Sequence, residues 1–402
     1  MISVAEAFAH VLATARPLPA ETVPLLAAAG RVLRQHVLAD RDFPPFDRVA
    51  MDGVALCFEA LHAGATDFEI ERTQLAGQPP LKLRNPLAAI EIMTGAALPP
   101  GTDTVVRYED LHLTETNGRR VASVRQPPPQ PGHHVHHRAI DGRAGQLLLA
   151  AGTRLGPAEI AVAAAVGAVE LLVTRPARIA VVGTGNEVIP ITQLPLPYQV
   201  RRSNAPMLQA ALAAAGASTE AFHFDDDPAA LRRGLPPLLA TYDAVVLSGG
   251  VSKGQADYLP DTLRELGVEE VFHRVAQRPG QPFWFGQVPG GAVVVGLPGN
   301  PVSTFVNYYR YVQPWLRRCQ KSPALLAQFA VLANNFEFRP ALTHFLPVRL
   351  ESAPDGRLLA HPAPTGGSGD LTGLLAIDGL LELPAEPLRF AAGEVFEIWR
   401  FW

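Results

Sequence analysis

The chain has 402 residues, of which 48% are hydrophobic and 18% charged, and its formal net charge at pH 7 is −4. A chain of this length is too long for one compact core, so we expect about two to four domains. The small net charge creates no global field that would indicate a nucleic-acid or acidic-membrane partner. The two cysteines, Cys57 and Cys319, are too few for a disulfide framework, which favours a reducing, cytoplasmic location.

The first residues predict an amphipathic helix rather than a targeting segment. Apolar side chains recur there at helical spacing: Val4, Phe8, Val11 and Leu12. No stretch approaches the ~18 consecutive apolar residues that a membrane-spanning helix needs. We therefore expect a soluble, intracellular protein with neither a membrane nor a nucleic-acid partner.

Sequence texture divides the chain into four regions. Residues 1–40, together with 140–175, are predicted to form a helical N-terminal and linker region, and 41–139 an irregular, β-rich inserted domain. Residues 176–325 alternate between strand and helix, which indicates a parallel sheet covered by helices on both faces. Helical patterns then cease, and 326–402 predicts a small antiparallel β-domain.

Within the alternating region we predict strands at 178–183, 218–224, 243–250 and 291–298. The predicted helices are 203–216, which begins at a capping Ser203, then 228–241, 257–267 and 301–318.

Each predicted strand leads into a loop that is rich in Gly, hydroxyl, amide or carboxylate groups. The four loops are 183–187, 225–227, 248–252 and 298–303. In an open parallel α/β sheet, ligands bind at the carboxyl ends of the strands. Glycines let backbone N–H groups approach a ligand, and a following helix adds partial positive charge. The four loops together therefore predict one shared site for an anionic ligand.

Carboxylates in the same loops indicate a divalent metal. Glu187, Asp226 and Asp257 could together hold Mg²⁺, a hard cation that prefers oxygen ligands and bridges to substrate phosphates. The pattern thus favours a nucleotide-like substrate with magnesium.

Simpler interpretations stay open for each motif alone. Gly249-Gly250 is typical of a plain turn, and 225–227 before Pro228 is typical of a helix N-cap. Lys253-Gly254 reverses the order that a Walker A loop needs, and GTGNEV lacks the third glycine of a dinucleotide fingerprint, so both of those sites are excluded. In the N-terminal half, Asp52-Gly53 and Thr94-Gly95 read equally well as turns or as functional corners.

In combination the motifs are specific. The chain contains, in this order, MDG, IMTGA-x-LP-x-G-x-D-x-VV, GTG-x-E, SN-x-x-x-L, DDP, SGGVS-x-G-x-ADY, PG-x-P-x-x-FG and GLPGNPVS. In order and spacing it resembles the MoeA/gephyrin-E family of molybdopterin molybdenumtransferases over nearly its full length.

The resemblance implies a fold, a reaction and partners. It implies a central doubly wound MogA-like α/β domain, with an irregular β-rich inserted domain, a helical linker domain and a small C-terminal β-domain. It implies a homodimer that takes adenylylated molybdopterin and molybdate, uses Mg²⁺, and releases molybdenum cofactor and AMP. Other proteins of molybdenum cofactor biosynthesis would be further partners.

It also implies roles for residues that match the motifs. Positions linked to activity in the family fall on Asp52, Thr94, Asp141, Glu187, Asp226 and Asp257. Positions that would contact substrate are Gly183, Thr184, Gly185, Asn204, Ser248, Gly249, Gly250, Ser252, Arg274, Arg278, Pro298, Gly299, Asn300, Pro301 and Ser303. The family's cleft is completed by the N-terminal domain of the other subunit, which would bring Asp52 and Thr94 to the same site.

This chain departs from the family pattern in places. Gln281 stands where lysine is common, while Arg274 and Arg278 replace two other lysines and keep the charge. An arginine-rich run becomes residues 136–141, in which Arg138 and Asp141 survive. Two alternatives therefore stay open: a catalytically impaired pterin-binding scaffold, or an enzyme that prefers tungstate.

Four histidines raise the question of a zinc site: His133, His134, His136 and His137. Zinc ligands come from fixed elements, and a proline-flanked loop provides little rigidity, so the pattern disfavours a metal there.

Overall fold

The computed structural model describes residues 1–251, 258–324 and 326–401. The chain divides into two compact units. The larger unit comprises Met1–Arg34, Gly152–Gly156 and Leu171–Trp402, and the smaller unit comprises Gln35–Ala151 and Pro157–Glu170. In the described parts of the chain, no helix combines the length and the apolar character needed to cross a bilayer.

A six-stranded sheet forms the centre of the larger unit. Its strand order is Ser218–Phe224, Arg178–Thr184, Ala244–Ser248, Val293–Leu297, Trp284–Gln287 and Glu269–His273. The first four strands are parallel, which confirms the predicted parallel arrangement. The last two pair antiparallel at one edge, and the sequence analysis missed both of them.

Alternate residues of these strands supply two separate cores, because successive side chains of a strand point to opposite faces. Ile179, Val181 and Val246 belong to one core, whereas Val182 and Leu247 belong to the other. Both faces are thus buried, which confirms a doubly wound α/β domain.

Helices cover both faces: Asn204–Ala214, Pro228–Thr241, Leu259–Glu265, Pro301–Asn307 and Gln313–Cys319. The last two are continuous through the π-helical turn Tyr308–Val312. The predicted cap at Ser203 is wrong, since that side chain makes no capping hydrogen bond. Asp227 does cap its helix, accepting hydrogen bonds from the N–H groups of Ala229 and Ala230.

Helical structure in the first 40 residues is shorter than the sequence predicts. Val4–Ala13 is a helix with a capping box between Ser3 and Glu6. Ala20–Pro24 is a strand instead, and it pairs with Glu170–Thr174. This stretch therefore forms a short strand where the sequence predicted a helix, and its partner strand lies far away in the sequence.

The C-terminal part of the larger unit is a small barrel. Its strands are Gln328–Leu332, Thr343–Ser352, Leu358–Pro362, Gly379–Leu383 and Val395–Arg400. They close into a ring because Thr343–Ser352 pairs with both Leu358–Pro362 and Gly379–Leu383. The predicted β-domain is confirmed, but not its purely antiparallel pairing, since Gln328–Leu332 and Leu358–Pro362 run parallel. Closure of the ring removes the exposed edges that an open sheet would have.

A buried arginine joins the N-terminal helix, the π-helical turn and the barrel. The guanidinium carbon of Arg310 lies 4.3 Å from the ring centre of Phe8 and 4.4 Å from that of Trp399. Its Nε is 2.9 Å from Glu382 Oε2, and Trp399 Nε1 donates to the same carboxylate oxygen at 2.8 Å. Cation–π contacts and an ion pair therefore hold three elements together.

The smaller unit is built on a second six-stranded sheet. Its strand order is Thr104–Arg107, Gly53–Leu56, Ala88–Ile92, Asp67–Gln74, Arg119–Val124 and Leu111–Thr116. Short helices lie at Phe58–His62 and Pro157–Ala165. The predicted β-rich character of this region is confirmed.

We expect Arg310→Ala to lower the free energy of unfolding by about 3 kcal/mol, because it leaves the Glu382 carboxylate in a largely buried position without its cation. Equilibrium unfolding in urea measures this change. Arg357→Ala is the control, since the Arg357–Asp355 pair is exposed and solvent screens its attraction, so its loss should change the free energy of unfolding far less. Equal effects of the two substitutions would contradict the assignment.

Candidate functional site

Three of the predicted strand ends in the larger unit lie side by side, as the register of the parallel strands requires. Parallel pairing places Gly183 beside Ser248, and Ser248 beside Leu297. Ser248 is buried, and its hydroxyl accepts a hydrogen bond from Asn204 Nδ2 at 2.8 Å. The same amide group donates to the carbonyl of Gly299 at 2.8 Å. Asn204 thus joins two of the strand-end loops.

The two positions after Ser248 require glycine, because a side chain there would collide with Thr184. Gly249 has φ +104°, and a Cβ added there would lie 2.6 Å from Thr184 Oγ1. Gly250 has φ +69°, with Thr184 Oγ1 at 3.2 Å from its added Cβ. The loop that follows Ala244–Ser248 therefore packs against the end of Arg178–Thr184 too closely for any side chain at these two positions.

Unused polar atoms remain at this corner. Thr184 Oγ1 and Asn204 Oδ1 are buried and have no hydrogen-bond partner among the described residues. Buried polar atoms normally have a partner, so each such atom in a native structure calls for an explanation such as a ligand or water. The corner is therefore well suited to a polar ligand.

The predicted metal ligands Glu187 and Asp226 lie in loops that contact each other. The Asp226 N–H donates to Asn186 Oδ1 at 3.2 Å. A Cβ at Gly185 would lie 2.8 Å from Glu187 Oε2, so the carboxylate folds over that glycine. Hard oxygen donors of this kind match the preference of Mg²⁺, which usually takes one or two carboxylates together with substrate phosphates.

His223 lies beside this corner and was not anticipated from the sequence. It pairs in register with Gly183 on the neighbouring strand. Burial, followed by the charge of Arg202, lowers the pKa of His223, so the imidazole is neutral at pH 7. Its position inside a strand, rather than in a loop, hid it from a search of strand ends.

A groove of about 830 Å³ lies on the same unit, between the α/β domain and the barrel. Four predicted substrate residues line it, namely Arg278, Pro298, Asn300 and Ser303. Of the other predicted positions on these segments, Gly299 accepts from Asn204 and Pro301 opens the following helix. Backbone hydrogen bonds hold Arg274 to Phe283 and Ile2.

The barrel contributes groove residues that sequence reasoning missed. Ser368 Oγ accepts from Asn300 Nδ2 at 2.9 Å. His344 and Arg339 also line the groove. Burial lowers the pKa of His344 to about 4, and its ring stacks on Phe338 at 4.1 Å. For Ser368, the sequence signal was the glycine-rich run at 365–369. That run could not be assigned to the site from the sequence, because its position relative to the other loops depends on tertiary packing.

The smaller unit holds a second predicted corner. Asp52 Oδ1 accepts from both the N–H of Thr94 at 2.6 Å and its hydroxyl at 2.7 Å. The backbone bond, and then the hydroxyl bond, lower the pKa of Asp52. The next residue, Gly53, cannot carry a side chain, because an added Cβ would lie 2.0 Å from the carbonyl oxygen of Val106.

A buried ion pair supports the strands that carry this corner. Glu91 is 7% exposed and accepts from Arg120 Nη1 at 2.8 Å. The Arg120 hydrogen bond lowers the pKa of Glu91 to about 2. The Tyr108 hydroxyl donates to Glu91 at 3.0 Å, and the Tyr108 N–H donates to the carbonyl of Asp52 at 3.2 Å. Asp52 is thereby anchored to a charged network.

The histidine-rich segment makes carboxylate contacts. His136 Nε2 lies 2.8 Å from Asp141 Oδ2, and His137 Nδ1 lies 3.4 Å from Asp47 Oδ1. Asp141 is thus engaged by His136 rather than by Asp52 or Thr94. Across residues 1–251, 258–324 and 326–401, no group of three or more His, Cys, Asp or Glu side chains is arranged to hold a metal.

The predicted site residues are divided between the two units. Asp52, Thr94 and Asp141 belong to the smaller unit, and the others belong to the larger one. Ser252 and Asp257 lie outside the residues that the structure describes.

Comparison with known proteins identifies the family. Three family models match successive parts of the chain: the MoeA N-terminal region (domain I and II) at residues 2–167, a probable molybdopterin binding domain at 180–318, and the MoeA C-terminal region (domain IV) at 330–401. A molybdopterin molybdenumtransferase of Synechocystis is 37% identical over 398 residues, covering 98% of this chain and 99% of the relative. The chain belongs to the MoeA family.

Solved structures agree with this membership. A molybdopterin biosynthesis MoeA protein of Pyrococcus horikoshii aligns over 100% of this chain and 99% of its own, with a TM-score of 0.80 and 31% identity. A second MoeA structure from this organism, 24% identical over 99% of each chain, has a TM-score of 0.82 and shows the shared fold. The MoeA membership and fold expected from the motifs are therefore confirmed.

We expect Gly249→Ala to weaken ligand binding at the Ser248 corner, because the added methyl group would displace Thr184. Gly393→Ala is the matched control. Gly393 has a similar φ of +97°, but an added Cβ there meets no atom within 4 Å. Calorimetric titration with AMP should show a loss of affinity of about tenfold or more for Gly249→Ala alone. An equal loss in both variants would mean that backbone strain, not the corner, is responsible.

Proposed function

We propose that this MoeA-family chain is a molybdopterin molybdenumtransferase. It would insert molybdate into adenylylated molybdopterin and release molybdenum cofactor and AMP. The observation that carries the proposal is the relative of that name, which is 37% identical over nearly the whole of both chains. The corner at Ser248 and the adjoining groove support it, because the corner offers the unpartnered hydroxyl of Thr184 and the groove is lined by Arg278 and Arg339 of the same unit.

The chemistry explains why such a surface is useful. The reaction joins two anions, a phosphate-bearing pterin nucleotide and an oxyanion, so their mutual repulsion must be offset by donors and positive charge. In the proposal, Ser248, Gly249 and Gly250 hold a phosphate of the nucleotide. Arg278 and Ser303 face the groove and would receive the oxyanion.

Magnesium is part of the proposal as a resident cation. Glu187 and Asp226 would hold it, and Asp257 would be the third carboxylate. Their oxygen donors fit Mg²⁺, and when bound the ion would supply charge neutralisation at the substrate phosphates. Glu187 and Asp226 would place the cation, while the glycine corner would orient the nucleotide against it.

Molybdate-dependent release of AMP from adenylylated molybdopterin tests the function directly. Release of AMP that depends on molybdate and Mg²⁺ supports the transferase. Absence of AMP above background, with the pterin nucleotide still bound, would support the scaffold alternative instead. Competition between molybdate and tungstate in the same assay decides which oxyanion is preferred.

We expect Glu187→Gln to reduce AMP release by about 100-fold or more, because it removes a charge that would hold the cation where the phosphate is cleaved. Glu265→Gln is the control, since Glu265 forms an exposed pair with Arg232. Thermal unfolding should be the same for both variants. Unchanged AMP release in Glu187→Gln would remove Glu187 from the site.

The proposal includes a homodimer, supported by an exposed apolar loop in the larger unit. The loop at 190–200 is closed at its base, where the Val200 N–H donates to the carbonyl of Glu187 at 3.0 Å. Five large apolar side chains are exposed on it: Ile191, Leu194, Leu196, Tyr198 and Val200. Exposed apolar patches of this kind mark interaction surfaces, and a second copy of the chain is the proposed occupant.

We expect the double substitution Leu194→Asp and Tyr198→Asp to convert the dimer into monomers of 43.0 kDa, because charges cannot be buried unpaired in an interface. Sedimentation equilibrium measures the mass. Leu375→Asp, a change at an equally exposed leucine in the barrel part, should leave the dimer intact. A monomeric parent protein would contradict the homodimer.

A further inference from the structure

Three fully buried polar side chains lie beneath the loop that follows the short strand Gln277–Arg278. Gln277, Asn307 and Tyr311 are each 0% exposed. Gln277 Nε2 donates to Asn307 Oδ1 at 2.7 Å, and the Tyr311 hydroxyl donates to Gln277 Oε1 at 2.5 Å. Such a network is costly unless its members are satisfied, so its presence under one loop calls for a reason.

The network ends on the main chain of that loop. Gln277 Nε2 donates to the carbonyl of Pro279 at 3.0 Å, and Asn307 Nδ2 donates to the carbonyl of Gly280 at 3.1 Å. Gly280 has φ +89°, and an added Cβ would lie 2.7 Å from Asn307 Oδ1. The loop is therefore pressed against the amides, and glycine is needed for that approach.

The barrel holds the same loop from the opposite side. His344 Nδ1 lies 3.1 Å from the carbonyl of Arg278. Since a carbonyl only accepts, Nδ1 carries the proton of this neutral imidazole. Stacking on Phe336 and Phe338 keeps the ring in place. Consecutive carbonyls of Arg278, Pro279 and Gly280 are thus all bound by side chains.

The loop matters because both of its long side chains line the groove. Arg278 is exposed, and Gln281 also lines the groove. A fixed backbone reduces the conformational freedom that an exposed arginine loses when its guanidinium binds an oxyanion. A buried amide network sets that direction more firmly than water can, since the loop's carbonyls have fixed partners.

We propose that Gln277, Asn307 and Tyr311 are positioning residues, which set the 278–281 loop so that the groove binds a tetrahedral oxyanion of the molybdate type. The inference rests on the proposed function for the identity of the oxyanion. It goes beyond that function by assigning groove affinity to buried groups that touch neither substrate nor metal.

Tyr311→Phe tests the inference, and the same helical stretch supplies a matched control. Tyr308 is 1% exposed, and its hydroxyl donates to the carbonyl of Ala211 at 2.7 Å, away from the loop. Tyr308→Phe therefore removes one tyrosine hydroxyl and its partly buried hydrogen bond without touching Gln277. The Ala211 carbonyl keeps the N–H of Ala215 as a donor, so Tyr308→Phe should lose no more stability than Tyr311→Phe.

Two measurements separate the variants. For Tyr311→Phe we expect the dissociation constant for molybdate alone, measured by calorimetry, to rise about tenfold, as for the loss of one positioning hydrogen bond. The KM for molybdate should rise in parallel while kcat stays within about twofold. Amide hydrogen exchange at Arg278, Gly280 and Gln281 should accelerate in this variant and stay unchanged in Tyr308→Phe.

Each result has one meaning. Equal molybdate affinity in the parent and in Tyr311→Phe, or equal loop exchange in both tyrosine variants, overturns the positioning role alone. A parent protein that neither binds molybdate nor releases AMP overturns the proposed function, whereas hydrogen exchange still reports on the network. Should Tyr311→Phe fail to fold, Asn307→Ala removes the bond to Gly280 while leaving Tyr311 in place, and the same outcomes apply.

Discussion

Parallel pairing of neighbouring strands is the constraint on which the rest of the larger unit depends. It places Gly183, Ser248 and Leu297 side by side at the carboxyl ends of their strands, so that loops distant in sequence become neighbours. The close packing of Gly249 on Thr184 and the hydrogen bonds of Asn204 then join those loops. A polar corner with unused buried atoms results, as expected where strands end in an α/β sheet.

A second constraint is the attachment of the barrel to the α/β domain. Arg310 lies between rings from the N-terminal helix and from the barrel, and it pairs with Glu382. Tyr311, the next residue of the same helical stretch, belongs to the amide network under the groove loop. The helical stretch that joins the barrel thus also supports the groove, so that attachment of the barrel and the backbone of the groove loop depend on one element.

Much of the site could be predicted because local chemistry carries it. Asp52-Gly53 reads as a tight corner from the sequence, and the structure places Thr94 on that aspartate. Other parts could not be predicted. Ser368 bonds Asn300 across 68 residues, and His223 reaches the corner from inside a strand. Neither has a local pattern, because its neighbours come from elsewhere in the chain.

By itself, the sequence determined the alternation of strands and helices, the glycine- and hydroxyl-rich strand ends and the family, since periodicity and motif spacing are local properties of the chain. Only the tertiary structure decided which loops touch, that two edge strands run antiparallel, that the C-terminal strands close into a ring, and that buried amides hold the groove loop. These features depend on pairing and packing between distant segments, whose free energy comes from contacts that no short stretch encodes.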